Sequence, residues 1–160
     1  MLQSVRFLGP WQPLCGGWLA IGHRPKIGYV KTLAQHAEAM LVTLLSEREG
    51  APRIGAAAER HSVEWLWLPM ESADIPAEER MEELLELFGT MKLRLGRGAA
   101  IGIHCSAGIH RTGMIANAFL YFLGIEGLET ERLLHDLRPL TAQAAGAERL
   151  AWGSRFKGLG

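Results

Sequence analysis

The chain has 160 residues, 48% of them hydrophobic, with 17 basic and 17 acidic side chains. That length suits one domain over residues 1–160 with a continuous buried core. The balanced charge argues against an electrostatic footprint for nucleic acid or an anionic membrane, so neither is expected as a partner.

Two cysteines, Cys15 and Cys105, do not make a disulfide framework. Pro10 and Pro13 interrupt the N-terminal stretch before it can read as a secretory signal, and no apolar run is long enough to span a bilayer. A soluble cytoplasmic protein is expected. The richness in Ala, Gly, Leu and Arg fits a GC-rich bacterial genome.

In chain order, residues 17–21 predict a short strand, followed by a turn at Gly22-His23-Arg24-Pro25. Val30, Leu33, Ala34 and Ala37 fall on one face of a helix over 29–37. Residues 39–45 form a continuous apolar run of strand length, suited to a strand buried on both faces of a parallel sheet. A short helix over 55–61 leads into a strand over 63–68, in which Trp65 and Trp67 share a face and read as core or helix-packing residues. Trp11 and Trp18 read as covers over the sheet edge or core.

Pro69 ends that strand, and a loop over 70–75 follows. Pro76 opens a helix reaching Leu95, with Glu78 and Glu79 placed at its positive end. Residues 98–103 predict a buried strand and 112–123 a helix. A further helix over 128–137 stops at Pro139, and a last one lies around 144–152. Strands alternating with helices predict an α/β fold, with a central, mostly parallel sheet flanked by helices.

The most informative stretch is His104-Cys105-Ser106-Ala107-Gly108-Ile109-His110-Arg111-Thr112-Gly113, between the strand over 98–103 and the helix over 112–123. Loop amides and the first turn of a helix point N–H groups at an anion, and the helix dipole adds positive charge. Arg111 adds a planar fork for two phosphate oxygens. The phosphate-binding set is thus Ser106, Ala107, Gly108, Ile109, His110 and Arg111, with Cys105 beneath it as nucleophile and the Thr112 hydroxyl able to reach the sulfur. A buried structural cysteine in an ordinary strand–helix turn is the bland alternative.

This stretch resembles the Cys-x5-Arg-Ser/Thr signature of the protein tyrosine phosphatase superfamily, including the histidine before the cysteine. The size resembles that of its compact dual-specificity members. The resemblance implies a phosphatase-like fold with the phosphate loop at a strand's C-terminal end. It implies hydrolysis of phosphotyrosine, and of phosphoserine or phosphothreonine, through a phosphocysteine intermediate, with no cofactor and no metal. Substrates would be phosphorylated proteins or small phosphomonoesters. A catalytically weak phosphate-binding or scaffold protein of the same fold is the alternative class, and a non-protein phosphate ester the alternative substrate. Because the loop interior offers only His110 beyond Arg111, a single-phosphate substrate is favoured.

The resemblance also implies a general acid on a loop roughly thirty residues before the cysteine, which here means Asp74, with Glu71 second. The local sequence Pro69-Met70-Glu71-Ser72-Ala73-Asp74-Ile75-Pro76 departs from the family's usual acid loops, and the structural alternative for Asp74 is to cap the helix that Pro76 opens. His104 is expected to order the loop through hydrogen bonds. Gln143 falls where larger members position the hydrolytic water, and Arg138-Pro139 matches a largely structural pair. Arg24 is a candidate to reach the pocket from the N-terminal segment. His23, His36, His61 and His135 are expected at the surface.

Overall fold

The computed structural model describes residues 2–160. Five strands form one sheet: β1 (Gln12–Leu14), β2 (Gly17–Gly22), β3 (Ala39–Thr43), β4 (Glu64–Trp67) and β5 (Ala100–His104), in the order β1-β2-β5-β3-β4. Only β1 runs antiparallel, paired with β2 across a tight turn in which Cys15 (φ 47°) and Gly16 (φ 90°) both take positive φ. The other strands are parallel, so the chain must cross over between them through helices. The α/β class and the mostly parallel sheet expected from the sequence are both present.

The helices are α1 (Ile27–Val30), α2 (Ala51–Arg60), α3 (Met81–Gly96), α4 (His110–Phe122), α5 (Leu128–Leu137), α6 (Pro139–Ala144) and α7 (Ala147–Trp152). Several details differ from expectation. The helix expected to open at Pro76 starts as a 3-10 turn, Glu78–Arg80, and is α-helical only from Met81, because the backbone is still extended at Ala77. The segment over 29–37 is a single α-turn continued by a 3-10 helix, Lys31–Gln35, because the chain must extend again to enter β3. The helix before β4 begins at Ala51 rather than Gly55, with Pro52 in its first turn, a position proline tolerates. Pro139 does stop α5, and in the same place it opens α6.

β5 is the centre of the sheet and is buried along its whole length. Its register aligns Gly22, His104 and Thr43 at one level, the C-terminal ends of β2, β5 and β3. The loops leaving these strands therefore emerge side by side. Open parallel sheets bind ligands at such an edge, outside the carboxyl ends of the strands.

On one face, Phe88 of α3 meets Phe119 and Phe122 of α4 and Phe156 of the C-terminal 3-10 turn, with ring centroids 5.1 to 5.6 Å apart. At the other edge, Trp65 and Trp67 stack at 5.6 Å, and Trp65 lies close against Gly55 of α2, where a β-carbon would meet the indole at 2.6 Å. Trp11 is buried and meets His36 edge-on at 5.3 Å. His36 is thus a buried residue rather than the surface one expected; burial lowers its pKa.

No helix is long and apolar enough to cross a membrane among the described residues. Phe88→Ala should cost about 3–5 kcal/mol, the usual penalty for emptying an aromatic core position. Urea denaturation monitored by tryptophan fluorescence would show the shifted midpoint, and a shift worth under about 1 kcal/mol would mean that α3 is not held by this cluster.

Candidate active site

The segments that follow β4 and β5 line one cleft. β5 leads directly into Cys105, the loop to Ile109, and α4 from His110, so the N-terminus of a thirteen-residue buried helix faces the opening. The cleft has a volume of about 260 Å³ and is lined by Cys105, Ser106, Ala107, His110 and Arg111 on one wall and by Glu71, Ser72 and Ala73, from the loop after β4, on the other. Cys105 is almost fully buried, at 3% exposure, so it forms the floor.

The loop is built on close backbone approaches. Gly108 sits at φ 72°, and a β-carbon there would lie 2.3 Å from the Gly22 carbonyl oxygen. Gly22 is itself pressed against Phe7, with room for no β-carbon. From below, Arg138 Nη1 donates to the carbonyls of Ala107 (2.9 Å) and Gly108 (2.8 Å), and the Thr141 hydroxyl donates to Gly108 O at 2.5 Å. These bonds engage the loop's carbonyls on the side away from the cleft. The Arg24 amide likewise donates to Ser106 O at 2.9 Å, tying the end of β2 to the loop.

Arg111 is held by a residue that the sequence reading missed. Its Nη1 and Nη2 donate to the two carboxylate oxygens of Glu49 at 2.7 and 2.8 Å, and Nη1 also donates to Met70 O at 2.8 Å. A guanidinium has five N–H donors. These three bonds leave the Nε–Nη2 edge, a parallel pair of donors matched to two phosphate oxygens.

Glu49 is in turn positioned by the amide and hydroxyl of Ser46, at 2.8 and 3.0 Å. The signal for it in the sequence is this Ser-x-x-Glu spacing just ahead of α2, the spacing of a helix capping box. The hydrogen bonds from Arg111 hold the Glu49 carboxyl down at about 2, and Glu49 in turn raises the pKa of Arg111. Glu49 therefore stays ionised well into acid. Its contribution to stability is complete above about pH 4.5 and is lost as pH falls through about 2.

His104 is fully buried beneath the loop. Trp65 Nε1 donates to the Thr43 hydroxyl at 2.8 Å; Thr43 then donates to His104 Nε2 at 2.8 Å, and His104 Nδ1 donates to Cys105 O at 3.0 Å. Because the Trp65 N–H can only donate, the Thr43 proton must point at His104, which fixes the Nδ1–H tautomer. Burial drives the His104 pKa down to about 4, helped by the nearby charges of Arg24, His23 and Arg111. The imidazole is neutral at pH 7 and orders the loop as a hydrogen-bonding group.

The remaining expected residues divide. Glu71 lines the cleft with Cys105, whereas Asp74 lines a neighbouring depression with Ile75, Glu148 and Arg149. The loop is drawn into that position by Arg149, which donates to Ala73 O at 2.7 Å, while the Asp74 amide bonds the Ser72 hydroxyl. Thr112 is fully buried, but its hydroxyl has no hydrogen-bond partner, so the expected bond to the Cys105 sulfur is not formed here. Gln143 lies in a separate cavity between α4, α5, α6 and α7, beside Asn117 and Leu134, and not at the cleft. Gly108 and Ile109 are part of the loop without lining the cleft. Cys15 is exposed and unpaired. Among the described residues, no cluster of three or more His, Cys, Asp or Glu is arranged to hold a metal ion.

Since the unfolded His104 titrates near 6.5 and the folded one near 4, the unfolded chain takes up a proton first as pH falls. Stability should drop between those values by about 3 kcal/mol from this group. Urea midpoints of the wild type and of His104→Asn across pH 7 to 4 should show a shallower slope in the variant; equal slopes would remove His104 as the source.

The architecture recurs in solved phosphatase structures. Kinase-associated phosphatase, with its catalytic-site cysteine replaced by serine, superposes with a TM-score of 0.78 at 15% identity, covering 97% of this chain and 96% of that one. Tk-PTP in its active form gives 0.66 at 22% identity over 89% and 92%. A mouse dual specificity phosphatase, described as putative and complexed with zinc tungstate, gives 0.66 at 18% identity over 97% and 87%. No protein-family model matches the chain, and a search of curated proteins finds no match to it. The fold of this chain is that of the tyrosine and dual-specificity phosphatases.

Proposed function

We propose that the chain is a cysteine-dependent phosphomonoester hydrolase acting on phosphotyrosine, and on phosphoserine or phosphothreonine, in proteins. The observation that carries this reading is the arrangement at the head of α4. Cys105 forms the floor of a cleft whose wall presents the unengaged Nε–Nη2 edge of Arg111 and the helix N-terminus.

In this reading the phosphoryl oxygens accept hydrogen bonds from the loop amides and from Arg111, and the Cys105 sulfur attacks phosphorus. The P–O ester bond breaks, the leaving oxygen takes a proton, and phosphate stays on sulfur. Water then attacks the phosphocysteine, the P–S bond breaks, and inorganic phosphate leaves. The buried, unpartnered hydroxyl of Thr112 is the donor available to the departing sulfur.

Glu71 is our choice for the general acid, because it stands across the cleft from Cys105 while Asp74 faces the adjacent depression. A proton donor must be within reach of the leaving oxygen, so position decides between two carboxyls on one loop. A thiol nucleophile works in reducing surroundings, which favours the cytoplasm as its compartment.

With an aryl phosphate under reducing conditions, the wild type should turn over and Cys105→Ser should not. Glu71→Gln should lower kcat about 10²-fold or more on poor leaving groups and less on good ones, the behaviour of a lost general acid. Asp74→Asn should change kcat by under about threefold. The reverse order would return the acid role to Asp74. Tight phosphate binding by a folded, reduced wild type that never turns over would assign the site to binding alone.

A further inference from the structure

Beside the phosphate cleft lies a second depression of about 550 Å³, lined by Arg24, Lys26, Arg48 and Arg53, with Glu49 and Ile54 in its wall. The protein as a whole is neutral, so four cations around one hollow are a strong local departure. None of the four makes an ion pair with a carboxylate among the described residues. The single acid in the wall, Glu49, already has both oxygens on Arg111.

These cations are not scattered along one element. Arg24 follows β2, Lys26 immediately precedes α1, Arg48 belongs to the loop after β3, and Arg53 lies in the first turn of α2. The Arg24 guanidinium lies across Gly50, whose added β-carbon would stand 3.7 Å from Nη1. The hollow and the phosphate cleft share a partition. Arg111 faces the cleft and its partner Glu49 faces the hollow, and the backbone of Arg24 is bonded to that of Ser106 in the cleft wall.

From this arrangement we infer that the hollow is a second anion subsite, which takes an acidic or phosphorylated residue flanking the phosphoresidue of a peptide substrate. The inference rests on the phosphatase reading of Cys105 and names its substrate class. A substrate filling both hollows must place its two anions on either side of the Glu49–Arg111 pair. An extended peptide, which advances about 3.3 Å per residue, can carry its anions to both sides of that pair. None of the large exposed apolar side chains, Ile75, Leu93, Leu128, Leu140 and Leu159, lines this hollow, whose half-buried Ile27 is a small apolar surface beside four cations. The single-phosphate preference expected from the loop interior thus concerns the cradle alone; the cations that widen it come from other strand ends.

The test compares kcat/KM on phosphotyrosine peptides that differ only in Glu and Asp flanks against Gln and Asn flanks, with an aryl phosphate measured in parallel. The acidic peptide should lead by about tenfold at low salt, shrinking at 0.5 M salt, where exposed charges are screened within about 4 Å. Arg48→Glu/Arg53→Glu should erase or invert the lead, and so should Lys26→Glu, which lies outside the helix. Equal use of the two peptides by the wild type, with the aryl phosphate still hydrolysed, would overturn the subsite and leave the phosphatase reading standing. A lead that survives both charge reversals would also overturn it. Faster turnover of phosphatidylinositol bisphosphate in phosphatidylcholine vesicles than of the acidic peptide would replace the peptide by a lipid headgroup. Absence of hydrolysis on every substrate would remove the phosphatase reading and the inference with it.

Discussion

The site depends on how one guanidinium is held. Arg111 would otherwise be a flexible cation at the start of a helix, free to sample many rotamers. The two oxygens of Glu49 and the carbonyl of Met70 fix its plane from three directions and leave one edge unengaged. Such an edge binds a tetrahedral oxyanion without first paying the ordering entropy of the side chain. The same three bonds join the loops after β3, β4 and β5, so the cation that would grip phosphate also fastens the walls of its own cleft.

The surrounding fold supplies what this arrangement needs. Parallel strands in register bring four loops to one edge of the sheet, and β5, at the centre, delivers Cys105 to the floor. The loop cannot sag onto β2, because Gly108 and Gly22 are already at the distance that only absent side chains permit. Arg138 and Thr141 engage its carbonyls from behind, so those oxygens are held away from an incoming anion. His104 finishes the support with a hydrogen-bonded line from Trp65 through Thr43, kept neutral by burial. The tryptophan that looks like simple edge packing is thus also the outermost donor of a chain ending at the Cys105 carbonyl.

Much of this was legible in the residues. The apolar run over 39–45, the strand at Trp65 and Trp67, and the Cys105-to-Gly113 stretch each carry a local signal, of period, length or motif. What escaped depends on tertiary geometry. Glu49 and Arg111 lie far apart in the chain, and only the β3–β5 pairing brings their loops together. Spacing favours Asp74 over Glu71 because it counts residues along a loop, whereas a place in the cleft depends on direction, which Arg149, from α7, helps to set. His36 reads as polar and exposed until Trp11 folds over it. The basic hollow is invisible for the same reason as Glu49, since its four cations come from separate elements whose charges cancel in the overall sum.

The most direct test of this account is the oxyanion chemistry of Glu49→Gln, a change that keeps shape and removes the charge clamping Arg111. Inhibition by inorganic phosphate or vanadate and kcat/KM on an aryl phosphate should both weaken by about tenfold or more, with circular dichroism unchanged, as expected when a charge-assisted bidentate contact is lost. Wild-type affinity and turnover in a folded Glu49→Gln protein would contradict the account, because Arg111 would then be positioned by something other than the pair described.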